Sequence, residues 1–161
     1  MSESEFAKYI VTERRLDSRD AALPPGVDPE SVTNTPSHRK ILGLDDLVLK
    51  GSPYTECVWM WPAGGDVYPE TAEPHSHAHD YDETIGFFGT DFADPYALHG
   101  EIEFWIEDEK FILTKSCLIF LPKGTCHCPL VIHRVDRPIF HFSTGPGEAY
   151  VQEIAKPQAG T

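Results

Sequence analysis

The chain has 161 residues, the usual size of one domain, and a chain of this length buries about 70% of its unfolded surface without disulfide support. Its 26 acidic and 13 basic side chains leave a formal charge of −13, which argues against nucleic acid and anionic membranes, since both demand a basic face. No apolar run reaches the ~18 residues of a membrane span, and the acidic, polar start MSESEFAKYI is unlike a signal peptide, so a cytoplasmic protein is expected.

Residues 1–40 carry little periodicity. Pro24, Pro25, Pro29 and Pro36 with Gly26 mark an irregular arm that could lie over the body of the protein or over a neighbouring subunit, with one short helix allowed. From residue 41 the pattern changes to short β-rich runs: ILGLDDLVLK, YTECVWMW, ETIGFF, EIEFWIED, KFILTKSCLIFLP, LVIHRV and RPIFHFST. Gly, Pro and Asp clusters separate them. Many short strands at this spacing predict an all-β barrel or sandwich. The expected organisation is an arm over 1–40, a β-barrel over 41–145 and a loop-like or frayed tail over 146–161.

Cys57, Cys117, Cys126 and Cys128 are expected to be free thiols. Two of them flank His127, and no second pair exists to complete a structural zinc site.

The chemistry concentrates in PHSHAHDYDE, where His75, His77 and His79 alternate. Residues two apart on a strand share a face, about 6.5–7 Å apart, so two imidazoles can lean onto one ion. Glu83 follows His79 at a spacing that lets a turn re-aim its carboxylate. His77 and His79 make the pair that fits this spacing best, with His75 and His77 as the other register. About 40 residues on, Pro122, Lys123 and Gly124 form a turn ahead of His127, which an antiparallel neighbour can bring beside the histidine pair. Nitrogen and oxygen donors in this combination suit first-row transition metals and leave positions open for chemistry. Asp80 and Asp82 are competing carboxylates.

H-x-H-x3-E at His77, His79 and Glu83, followed by P-x-G-x2-H at Pro122, Gly124 and His127, resembles the two signature motifs of the cupins. The resemblance spans residues 58–143. It implies an antiparallel cupin barrel (double-stranded β-helix, or jelly roll), commonly a homodimer. The ion inside would be one divalent transition metal per chain: Fe, Mn, Ni, Zn, Co or Cu. Cupin activities range over dioxygenases, isomerases, decarboxylases, lyases and simple binding proteins, so the fold does not select one.

Two further residues are candidates for acid–base work. His141 shares a strand face with Ile139 and Ser143 and could look into the cavity. Glu103 would reach the metal only if its strand turned the glutamates inward; the alternation with Ile102, Phe104 and Ile106 favours the apolar set inside. Lys123, Arg134 and Arg137 are the cations nearest the motifs and candidate anchors for a substrate carboxylate. With neither G-x-S-x-G nor a P-loop in the sequence, serine hydrolysis and nucleotide phosphotransfer drop out. The expectation is a metal-dependent enzyme, dioxygenase or lyase/isomerase, acting on a small oxygen-rich or carboxylated metabolite. The alternative is a non-catalytic metal-dependent binding or sensing protein.

Overall fold

Strict alternation builds the walls of this protein. In β2 (Tyr54–Met60) every second residue, Tyr54, Glu56, Val58 and Met60, is buried. In β5 (Ala97–Ile106) the buried set is Leu98, Gly100, Ile102 and Phe104. Each strand therefore turns one face inward and the other toward solvent. The computed structural model of the chain describes residues 6–62, 76–149 and 153–154.

The other strands are β1 (His38–Leu44), β3 (His77–Ala78), β4 (Glu83–Phe88), β6 (Glu109–Lys115), β7 (Cys117–Leu121), β8 (His127–Val135), β9 (Ile139–Gly145) and β10 (Glu153–Ile154). They form two five-stranded antiparallel sheets, ordered β1-β2-β9-β4-β7 and β10-β3-β8-β5-β6. From β2 to β9 the chain crosses from one sheet to the other at almost every step, and among the described strands only the β5–β6 hairpin stays within a sheet. That dealing of eight strands into two sheets is the jelly roll. The expected barrel resolves into two facing sheets, with no ladder joining them among the described residues.

The core lies between the sheets. Met60, Ile85, Phe87, Leu121 and Ile139 come from the first sheet, and Leu98, Ile102, Phe104, Cys128 and Val135 from the second. Fully burying side chains of this size stabilises by about 1.5–3 kcal/mol each.

The arm holds a 3-10 turn at Ala7–Tyr9 and two short helices, α1 (Ser18–Ala21) and α2 (Pro29–Thr33). Asp17 caps α1 through a reciprocal capping box with Asp20. Both carboxylates are buried, and Lys40 of β1 reaches Asp17 at 2.5 Å and Asp20 at 3.6 Å. The same ammonium lies 3.1 Å from Glu56 of β2. The arm is thus pinned to its own first sheet, on the first of the two surfaces the sequence allowed. The expectation of a loop-like tail is corrected at Glu153–Ile154, which pair with β3 through backbone bonds that no side-chain pattern advertises.

Candidate metal centre

His77 opens β3 and stands directly opposite His127, the first residue of β8. Their ring centroids are 4.4 Å apart. His79, just past β3, lies 4.9 Å from the His77 ring and 5.2 Å from that of His127. Glu83 opens β4 and sends Oε2 to 3.1 Å from His127 Nε2 and 3.4 Å from His79 Nε2. All four side chains are buried. The two halves of the site are tied together by the chain itself. Gly124 N–H donates to His79 O at 2.9 Å, and Lys123 N–H to Asp82 Oδ1 at 2.8 Å. Asp82 therefore holds the Pro122–Lys123–Gly124 turn, Asp80 is exposed, and neither joins the cluster. His75 lies outside the described residues.

A bulge adds a neighbour that spacing alone did not suggest. Along β5 and β8, Phe104 pairs with Leu130 and Ile106 with His127, so β8 carries one extra residue there. Cys128 takes a left-handed backbone, φ 71°, and both His127 and Cys128 point inward, which a regular strand forbids. Donor atoms of His79, Glu83 and His127 lie within 4.8 Å of one another, and so do those of His77, His127 and Cys128. Burial pushes the Cys128 thiol up to about 12, which keeps it protonated. All four cysteines are free thiols.

The residues fit a cation. Oε2 of Glu83 is buried and makes no hydrogen bond among the described residues, although two imidazole nitrogens face it. Burial works to raise the Glu83 acid, but the adjacent imidazoles of His127 and His79 outweigh it and hold the group at about 2. The carboxylate is thus ionised, as a ligand must be. His127 Nδ1 lies 3.1 Å from Thr125 O. A proton on Nδ1 donates to that carbonyl, which turns the Nε2 lone pair inward, the usual orienting partner of a ligating histidine.

A cavity of about 170 Å³ opens from this cluster. His77, Glu83 and His127 line it, together with Arg19, Glu56 and His141. His141 on β9 stacks on Phe87 with centroids 4.5 Å apart, and its Nδ1 lies 3.1 Å from Gly86 O. Burial is the main influence and holds its imidazole below the ordinary value, so the ring is neutral near pH 7. Glu103 is corrected. Ile102 and Phe104 fill the interior, so Glu103 faces outward, bonded to Trp105 Nε1 at 2.7 Å and His133 Nε2 at 3.0 Å. Lys123, Arg134 and Arg137 do not line the cavity; Arg134 pairs with Asp136, and Arg137 with Asp91 at 2.9 Å. Sequence reasoning missed Arg19 and Glu56. Glu56 carried a readable signal, since it alternates with Tyr54 and Val58 on the inward face of β2.

The strand order and the meeting of both motif halves on β3, β4 and β8 agree. The fold is a jelly roll of the cupin type. No protein-family model matches the sequence, and no curated protein does. Among solved structures, the chain is similar to an RmlC-like cupin from Shewanella frigidimarina, at 16% identity over 68% of this chain and 75% of that one, TM-score 0.38. It is also similar to an oxalate oxidase in complex with the substrate analogue glycolate, at 14% identity over 76% and 57%, TM-score 0.46. A third is the DMSP lyase DddQ from Ruegeria pomeroyi, at 17% identity over 92% and 64%, TM-score 0.42. No helix among the described residues is long and apolar enough to cross a membrane.

Proposed function

We propose that this protein is a metal-dependent cupin enzyme acting on a small oxygen-rich or carboxylated metabolite. The observation that supports the reading is the meeting at His127 of two buried donor groups, His79–Glu83–His127 and His77–His127–Cys128, beside a cavity lined by His77, Glu83 and His127. His77, His79, Glu83 and His127 would hold one divalent transition metal. Such an ion supplies Lewis acidity for a lyase or isomerase and, if it is iron, the redox centre of a dioxygenase.

The protein's own residues supply the rest. Val58, Met60, Ile85, Phe104, Leu130 and Ile132 give the cavity apolar walls that limit water. His141, neutral and fixed through Nδ1, offers Nε2 to accept or return a proton from a molecule bound in the cavity. A cytoplasmic homodimer belongs to the same reading, and sedimentation of the untagged chain tests the assembly. The functional test compares metal-stripped with metal-restored protein against small keto acids, phenols and thiols, following substrate loss and oxygen uptake together. Metal-dependent substrate loss supports an enzyme, and coupled oxygen uptake makes it a dioxygenase. Ligand binding without turnover across the panel would favour the binding or sensing alternative.

A further inference from the structure

We infer that Arg19 of the N-terminal arm is the substrate-anchoring residue of this cavity, gripping the carboxylate of a small monocarboxylic acid whose other end faces the His77, His79, Glu83 and His127 cluster. The inference rests on the metal-site reading above and names its substrate class.

Arg19 lies in α1, far in sequence from every motif residue, yet it is the only lysine or arginine lining the cavity among the described residues. Its position is built. Asp17 and Asp20 bind Lys40 on β1, which fixes α1 against the first sheet. Arg19 Nη1 then donates to Glu56 Oε1 at 3.0 Å, on the inward face of β2. The side chain keeps 38% exposure against 9% for Glu56, so the guanidinium sits where the cavity meets solvent. Glu56 does not depend on Arg19 alone, because Lys40 holds its other oxygen at 3.1 Å. A guanidinium carries five donors in a fork that matches carboxylates. An incoming carboxylate can therefore share or replace the Glu56 contact while Lys40 keeps Glu56 paired. Apart from the charged residues and histidines the lining is mainly apolar, which suits a short carbon skeleton. The size follows from the volume: about 170 Å³ compares with the roughly 150 Å³ of a cavity that admits benzene. A long or multiply charged acid would not fit, since one cation faces it and Glu56 and Glu83 repel a second anionic group.

The test is calorimetric titration of the full chain, after its metal content has been measured, with propionate, lactate, pyruvate, crotonate and benzoate, each beside its neutral amide. For the acids that bind, the wild type should prefer acid over amide by about tenfold or more, the scale of a desolvated charge contact. Arg19→Met should bring that ratio to within about twofold of unity, Arg19→Lys should keep part of it, and Glu56→Gln should raise it by removing the competing carboxylate. The ratio is taken within each variant, so a loosened arm that weakens acid and amide alike leaves it unchanged. A metal-loaded wild type without acid preference, or an unaltered preference in Arg19→Met, overturns the role of Arg19 and leaves the metal site standing. A wild type that takes up no metal overturns the metal reading itself.

Discussion

His77 and His127 face each other across the β3–β8 pairing, with ring centroids 4.4 Å apart. Fifty residues of sequence separate them, yet one pair of strands makes them neighbours. If their nitrogens share an ion, His127→Ala removes a ligand at the first residue of β8, a side chain that is not a member of the apolar core cluster. Metal content should fall several-fold while the far-ultraviolet circular dichroism stays that of the wild type. Full metal occupancy in the folded variant would refute the ligand assignment.

Glu83 and Asp82 are adjacent carboxylates with opposite fates. Glu83 is buried among the imidazoles, whereas Asp82 is exposed and accepts from Lys123 N–H at 2.8 Å. Glu83→Gln should therefore weaken metal affinity by about tenfold or more, and Asp80→Asn should not change it. Asp82→Asn should act only on the turn, costing about 0.5–1.5 kcal/mol of stability. Metal titration of the three variants decides, and the reverse order would mean that the carboxylate ligand is Asp80 or Asp82.

Much of this side-chain cluster was legible in the sequence because its signals are local. ETIGFF is read directly as β4, and alternation placed Ile102 and Phe104 inside and Glu103 outside. The H-x-H-x3-E and P-x-G-x2-H spacings located the four clustered side chains. What was not legible depends on tertiary pairing. Arg19 reaches the cavity only because Asp17, Asp20 and Lys40 form a buried ion cluster, and charge pairs across 20 or more residues leave no periodic trace. Cys128 turns inward through a bulge, which breaks the period-two rule used to read strands. β10 is set by backbone bonding to β3, to which side-chain type is indifferent.

Lys40 should be the most sensitive charged residue in the arm contact. Lys40→Met would leave Asp17, Asp20 and Glu56 buried with their shared cation gone, a loss of about 3–5 kcal/mol. A fall in unfolding free energy below about 1 kcal/mol would show that the cluster is hydrated or dispensable.

The same cluster sets the sign of the pH response. Burial raises the Glu56 acid, but Arg19 and Lys40 more than offset it, so the group lies below its ordinary 4.5. Its stabilisation is complete above 4.5 and is lost as pH falls through the folded value. Glu83, at about 2, acts in the same direction. For Lys40, burial works against the ammonium, while Glu56 and Asp17 raise it above 10.5, so its contribution is lost only as pH rises beyond that folded value. Melting temperature should be level across neutral pH and drop below about 4.5, with a shallower drop in Glu56→Gln. An identical acid limb in that variant would contradict the assignment.

His141 should titrate below the ordinary 6.5 of a histidine, because burial disfavours its imidazolium. Nuclear magnetic resonance titration of the ring protons reads this directly. A midpoint above 6.5 would contradict the effect of burial, and one above about 7.5 would leave the ring mostly charged at neutral pH and remove its role as a proton acceptor.

The most direct test of the central claim is elemental analysis of the untagged protein after exhaustive dialysis, beside His127→Ala prepared in the same way. The account predicts close to one transition-metal ion per wild-type chain and a several-fold lower content in the variant. A wild type free of transition metal, which also takes up none when offered iron, manganese, nickel, zinc, cobalt or copper, would contradict it.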